Sequence, residues 1–287
     1  MAILLTGGAG KTSSRVARFL QDAQIPFLVA SRKGEAGAPP GMPATKFDWL
    51  DSATFENPFQ HQFPGGERIA AVYLVAPPVP DPVPPMKAFV DFAIEKHGVK
   101  RFVLLTGTSD EKGGGYTGKL WQYFIDIGVE YCVLQATWFM ENLVEAQFIG
   151  TLRDEGKLYT ATEDGKIPFV SATDIAAAAF RALIDTKPHN TDHQILGPEL
   201  LTYDDIAAKL SSGLGRDIVH VKLSEEENTQ RLIRSGMPEH YGKLLSSLEA
   251  RSARGGEDRL NDTVERVTGR PPQTFDSWVQ ENKTAWQ

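Results

Sequence analysis

The residues best suited to chemistry stand near the start of the chain. Thr6-Gly7-Gly8-Ala9-Gly10-Lys11-Thr12-Ser13 follows a short apolar run and precedes an amphipathic stretch. Gly7, Gly10 and Ser13 fall at i, i+3 and i+6, a GxxGxxG spacing with serine in the last place. Glycine lets the backbone turn tightly and come close to a pyrophosphate, and the helix that follows aims unpaired N–H groups at the anion. In a strand–turn–helix context this spacing predicts a dinucleotide cradle built from Thr6, Gly7, Gly8, Gly10, Lys11, Thr12 and Ser13. A P-loop competes for the same residues, since Gly10-Lys11-Thr12 imitates its end. It needs a glycine where Leu5 stands, so that reading fails.

The end of the second apolar run, Ser31-Arg32-Lys33, bears on which dinucleotide is bound. An NAD site places Asp or Glu about 20 residues beyond the glycines, to hold the ribose 2′-hydroxyl. Here two cations stand instead. They suit a 2′-phosphate, and Arg32 can also stack on adenine. NADPH is the expected cofactor, with Lys11 as a further cation. Lys33 has a plain surface role as its alternative. Asp48 either accepts a hydrogen bond from the adenine amino group or caps the segment after it. Residues 76–86 (APPVPDPVPPM) read either as a stiff polyproline connector or as a rigid wall beside the ligand. The wall reading uses Ala76 and Pro77, which directly follow a strand, where ligands of such sheets sit.

Catalytic candidates lie further on. Tyr116 and Lys119 fall one residue short of a Tyr-x-x-x-Lys pair, and Gly113-Gly114-Gly115 puts Tyr116 on a loop. That weighs against Tyr116 as proton donor. Lys119 opens a helix and either reaches the nicotinamide ribose or is simply solvated. Thr106 to Ser109 follow a strand and either line the cofactor cleft or cap local backbone. Thr137, Trp138 and Phe139 occupy the turn after the next strand. The two aromatics either anchor a helix in the core or form a wall for nicotinamide and substrate. Glu141, with Asn142, either orients that turn or faces a cationic substrate. The catalytic expectation is therefore Lys119, Trp138 and Glu141; Thr106, Lys119, Thr137 and Phe139 are expected against the cofactor. No metal is expected. His189 and His193 are four apart, but Pro188 and polar neighbours suggest a loop, and Cys132 reads as core. No Gly-x-Ser-x-Gly elbow is present.

Elements that could position these groups follow from hydrophobic pattern. Apolar runs at residues 2–6, 26–31, 45–48, 69–75, 101–106 and 131–135 read as strands. Helical stretches at 13–23, 86–96 and 119–127 alternate with them. The pattern is α/β: a doubly wound parallel sheet of Rossmann type. Beyond about residue 150 helices dominate, at 173–184, 203–214, 224–235 and 239–253, with short strands near 194–196 and 218–221. The expected division is a dinucleotide-binding core at 1–150 and a smaller, mostly helical substrate subdomain at 151–287, with some segments returning to the core. The chain has 287 residues, 41% hydrophobic and 23% charged, which is enough for packed cores and excludes wholesale disorder. Thirty Lys+Arg against 37 Asp+Glu leave a net charge of −7, which disfavours nucleic acid as a partner. A single cysteine fits a reducing, cytoplasmic setting. No apolar run reaches the roughly 18 residues of a membrane span, and no basic residue precedes the first apolar run as in a secretory signal.

The residues from Ile3 to Arg15, the Ala30-Ser31-Arg32 strand end and Trp138-Phe139-Met140-Glu141-Asn142 resemble the NmrA-like, atypical short-chain dehydrogenases. The Lys-Thr-Ser-Ser-Arg run at 11–15 is similar, more narrowly, to the fungal ergot-alkaloid festuclavine and agroclavine dehydrogenases. That resemblance implies NADPH-dependent reduction of a cyclic iminium derived from chanoclavine-I aldehyde, giving a clavine alkaloid. It implies an alkaloid as small-molecule ligand and an upstream enzyme that supplies the iminium. Reducing C=N⁺ gives a neutral amine directly, so no side-chain acid is required. Two other readings stand beside it: a non-catalytic NADP(H)-sensing regulator, and a reductase of another C=C or C=O substrate.

Overall fold

The computed structural model describes residues 1–144 and 146–286. In chain order the elements are β1 (Ala2–Leu5), α1 (Ser13–Asp22), β2 (Phe27–Ser31), β3 (Ala44–Lys46), α2 (Asn57–Gln60), β4 (Ile69–Val75), α3 (Val83–His97), β5 (Arg101–Gly107), α4 (Gly118–Ile127) and β6 (Glu130–Ala136). They continue with α5 (Ala146–Glu155), β7 (Lys157–Thr160), α6 (Ala172–Ile184), β8 (Thr191–Ile195), α7 (Tyr203–Leu214), β9 (Val219–Lys222), α8 (Glu225–Arg234), α9 (Glu239–Ala253), α10 (Thr263–Thr268) and α11 (Phe275–Asn282). Among the described residues, no helix is long and apolar enough to cross a membrane.

The first compact unit comprises Met1–Ala136 and Ala172–Ile195. Its sheet runs β3-β2-β1-β4-β5-β6-β8, with every neighbouring pair parallel. Strand order reverses between β1 and β4, so their carboxyl ends open a crevice. All of β1 is buried, as expected of a strand covered on both faces. Phe19 of α1 and Phe180 of α6 pack together, ring centroids 5.8 Å apart. The opposite cover includes α4, whose Phe124 stacks 5.8 Å from Phe102 of β5.

This unit ends at Ala136, short of residue 150, and it takes back α6 and β8. The helix at 173–184 thus lies with the first unit. A parallel sheet explains why. Its edge strand β8 can only be reached through a crossover, and the buried alanines 176–179 let α6 lie close on the sheet. The proline segment also differs from a uniform connector. Its last residues open α3, where Pro84 and Pro85 fit the first turn because the N–H they lack has no intrahelical partner there.

The second unit comprises Thr137–Ser171 and Leu196–Gln287. It holds a two-stranded parallel ribbon, β7-β9, and an apolar cluster around Phe148, Phe169, Tyr203, Phe275 and Trp278. Capping boxes start α7 (Thr202 with Asp205) and α8 (Ser224 with Glu227). Buried Glu249 of α9 accepts hydrogen bonds from the Ala161 amide (2.7 Å) and Asn228 Nδ2 (2.7 Å).

Candidate active site

The glycine turn is held from beneath. Thr6 is fully buried; its Oγ1 donates to the Tyr73 carbonyl (2.9 Å) and accepts from the Val75 amide (2.8 Å). Both bonds tie the end of β1 to β4, beneath the glycine turn. Tyr73, buried in β4, donates its hydroxyl to Thr12 Oγ1 (3.1 Å), and burial pushes its phenol well above the ordinary range. Ser13 Oγ donates to the Thr6 carbonyl (2.6 Å), so the serine in the third glycine place ties α1 to the end of β1. Gly7 and Gly8 have φ of +92° and +59°. A Cβ on Gly8 would sit 2.8 Å from the Gly37 carbonyl, so the turn requires glycine there. The Gly10 amide closes the turn on the Gly7 carbonyl (3.0 Å). Among the described residues, the amides of Thr12 and Ser13 donate to nothing, leaving two N–H groups at the start of α1 to meet an anion. Lys11 is half-buried at the same helix start, and its carbonyl accepts from Arg15 Nη1 (2.6 Å).

A cleft of about 760 Å³ opens beside this turn, within the first unit. Gly7, Gly8, Arg32, Lys33, Asp48, Ala76 and Pro77 all line it, so seven of the expected cofactor contacts converge. Phe47, Trp49 and Ser31 join them and were missed, because nothing in a short aromatic run separates a cleft wall from core. Arg32 and Lys33 are exposed, and among the described residues neither is paired with a carboxylate. Asp48 does not cap a helix. Its Oδ1 accepts from the Leu50 amide (3.0 Å) in a local turn, while Asp51 caps the next one by accepting from Ala53 (3.1 Å). The residues present suit a dinucleotide bearing a 2′-phosphate: free amides for the pyrophosphate, an aromatic-sided slot for adenine, and two uncompensated cations.

Asp110 organises the loop after β5, and the sequence reading passed it over. It is buried, and its carboxylate accepts from Thr106 Oγ1, the Tyr116 amide (3.0 Å), the Thr117 amide (2.9 Å) and Thr117 Oγ1 (2.8 Å). Gln135 Nε2 donates to its carbonyl (2.7 Å). Thr106 is therefore a member of this buried knot. The only signal was an acidic residue four places after Thr106, ahead of a glycine run. Tyr116 lies on the loop, as expected, with its hydroxyl donating to the Pro77 carbonyl (2.9 Å). Lys119 is exposed in the first turn of α4, and among the described residues it has no carboxylate partner.

The aromatic turn belongs to the second unit. Trp138 and Phe139 are half-buried, Trp138 packing on the apolar cluster and Phe139 bridged to Val170. Thr137 is buried and donates to Glu257 Oε2 (3.2 Å). Glu141 is 1% exposed and accepts from Trp278 Nε1 (3.3 Å). It is an internal tie that orients the turn, which corrects its expected role toward substrate. His193 stands on β8 rather than on a loop, and it joins His189 and Cys132 in one cluster.

A sheet with a switch point, a glycine turn feeding a helix start, and a cleft beside both define the class: a Rossmann-type dinucleotide-binding protein. No protein-family model matches the chain. It is 44% identical to agroclavine dehydrogenase of Claviceps fusiformis, over 100% of this chain and 99% of that one. It is 43% identical to festuclavine synthase II of Penicillium roqueforti, over the full length of both. Its fold matches an NADPH-dependent quinone oxidoreductase of Escherichia coli solved with NADPH, with TM-score 0.79 and 23% identity over 97% of this chain and 99% of that one. The chain belongs to the family of the agroclavine and festuclavine dehydrogenases. It is an oxidoreductase that uses a nicotinamide cofactor.

Proposed function

We propose that this enzyme reduces a cyclic iminium of the chanoclavine-I aldehyde type to a clavine alkaloid, with NADPH as reductant. The preference for NADPH rests on one observation above others: Arg32 and Lys33 line the cleft with no carboxylate partner among the described residues. A 2′-phosphate would neutralise them, whereas a bare 2′-hydroxyl would not. The Thr12 and Ser13 amides, at the start of α1, would hold the pyrophosphate. When bound, NADPH supplies the hydride.

The iminium reading is supported by the way Tyr116 is held. Its hydroxyl is engaged with the Pro77 carbonyl, and it stands one residue out of register with Lys119. A ketone would become an alkoxide needing a proton, but an iminium becomes a neutral amine and needs none. In this reading Lys119, exposed in the first turn of α4, would orient the ribose of the nicotinamide half. The names of the relatives point to clavine products.

The test is oxidation of NADPH and of NADH against a panel of cyclic iminium and carbonyl compounds. Sustained turnover with an iminium, faster with NADPH, is the expected result. Cofactor binding without turnover on any of them would identify a sensor instead. Turnover confined to carbonyls would replace the iminium by a ketone or quinone.

A further inference from the structure

We propose that Cys132, His189 and His193 form a binding site for a borderline-soft divalent cation of the zinc kind. The site lies wholly in the first unit, towards the amino ends of β6 and β8, whereas the dinucleotide cleft opens at the carboxyl ends of β1 and β4. Nothing in the proposed reduction uses it.

The fold brings these residues together for simple reasons. In β6–β8 pairing, Cys132 stands opposite Thr191 and Leu134 opposite His193. Side chains alternate along a strand, so Cys132 and His193 share one face. The α6–β8 connection sets His189 over that face. Arg101 fixes the backbone there, donating to the carbonyls of Leu183 (3.1 Å) and Asp185 (2.7 Å). One donor atom from each of the three residues then falls within 4.8 Å of the others. His189 Nδ1 is 2.9 Å from His193 Nε2 and 3.9 Å from Cys132 Sγ. A tetrahedral zinc ion, with bonds of about 2.0 to 2.3 Å, places its donors about 3.3 to 3.6 Å apart. The observed distances straddle that range, so shifts below about 1 Å complete the geometry.

The surroundings set the tautomer of His189. His189 Nε2 donates to Asp185 (3.1 Å), and Asp185 also pairs with Arg181 (2.7 Å). A carboxylate on the far nitrogen puts the proton there and leaves Nδ1 as a lone pair, the arrangement common to metal-bound histidines. Cys132 is 1% exposed and His193 7%, while the His189 side chain, at 14%, offers the way in. Burial pushes the Cys132 thiol well up, so it enters the site protonated. On binding, its S–H bond breaks, sulfur bonds to the metal as thiolate, and the proton passes to water. His193 binds through Nε2 with its proton on Nδ1. Water fills the fourth position. One thiolate and two imidazoles suit zinc, not magnesium or calcium.

The experiment titrates the untagged, chelator-treated full-length chain with Co²⁺ and reads its absorption. One equivalent should bind with tetrahedral d–d bands and a near-ultraviolet thiolate-to-cobalt band, and Zn²⁺ should displace it. Zn²⁺ should also slow modification of Cys132 by a thiol reagent at least about tenfold, the scale expected once the nucleophilic thiolate is engaged by metal. Cys132→Ser should abolish the thiolate band. His189→Gln and Asp185→Asn, both on the more exposed side, should weaken binding by about ten- to a hundredfold while the fold is kept. No cobalt bound at high micromolar concentration, a band that survives Cys132→Ser, or unchanged affinity in both other variants would each overturn the proposal.

Discussion

Glu249 carries a charge-dependent load on the second unit that can be measured directly. It is 1% exposed on α9, and burial raises its carboxyl from 4.5 to about 7. The Ala161 amide and the positive Arg231 oppose that rise without cancelling it. Arg231 itself is partly desolvated, and among the described residues its buried Nε has no hydrogen-bond partner. The buried Tyr203 phenol also feels the carboxylate. Because the folded value lies above the unfolded one, the folded state holds its proton more tightly. Its contribution is fully present below pH 4.5 and is lost as pH rises through about 7. Each pKa unit is worth about 1.36 kcal/mol, so the whole change amounts to about 3 kcal/mol. Glu249→Gln keeps an acceptor for Ala161 and Asn228 but cannot ionise. Urea unfolding of wild type and variant at pH 5 and pH 8 separates the two cases. The variant should match wild type within about 1 kcal/mol at the acid end and gain about 2 to 3 kcal/mol on it at the alkaline end. A stability difference that is the same at both pH values would refute the reasoning.

Three further outcomes are expected. Arg32→Ala should weaken NADPH binding by about 1 to 3 kcal/mol and leave NADH binding nearly unchanged, as calorimetry can read; equal losses would remove Arg32 from the 2′-phosphate. Gly10→Val places a branched side chain 3.0 Å from the Gly7 carbonyl, and should abolish NADPH binding while circular dichroism reports an intact fold. Undiminished affinity there would disprove the cradle. Tyr116→Phe should keep kcat within about tenfold on an iminium, since a true general acid contributes about a hundredfold or more. A loss beyond about a hundredfold in a folded, NADPH-binding variant would point to a tyrosine-dependent carbonyl reductase.

The parts of this molecule that were legible in the sequence are those with a short repeat or a local cause. β4, α7 and α9 have the expected bounds because apolar period and flanking breakers agree there. The glycine turn and its cations were legible for the same reason, being contiguous. What escaped depended on distant pairing. β7 is four residues long and is a strand only because β9 lies beside it. The role of Asp110 exists only once Thr106, Thr117 and Gln135 are folded around it. Glu141 could not be told from a substrate-facing acid until Trp278, 137 positions away, was seen to donate to it. His189 and Cys132 are separated by 57 positions, and no spacing rule connects them.

The path of the backbone between the two units also bears on how the protein is made. Residues 137–171 emerge from the ribosome after β6 but before the strand that covers its edge. Until β8 arrives, β6 presents an open ladder of backbone groups, the kind of edge on which nascent chains aggregate. Once α6 and β8 are in place the first unit is finished, while Phe148 still waits for Phe275 and Trp278 to be synthesised. In the finished fold that segment is pinched at its own neck, where Val170 donates to the Trp138 carbonyl (3.0 Å) and Met140 to that of Val170 (2.9 Å). These bonds lie within the segment, so it can close without the rest of its unit, at a loop-closure cost that grows only slowly with length. Chain order thus lets the first unit be completed before the last residues of the second are made.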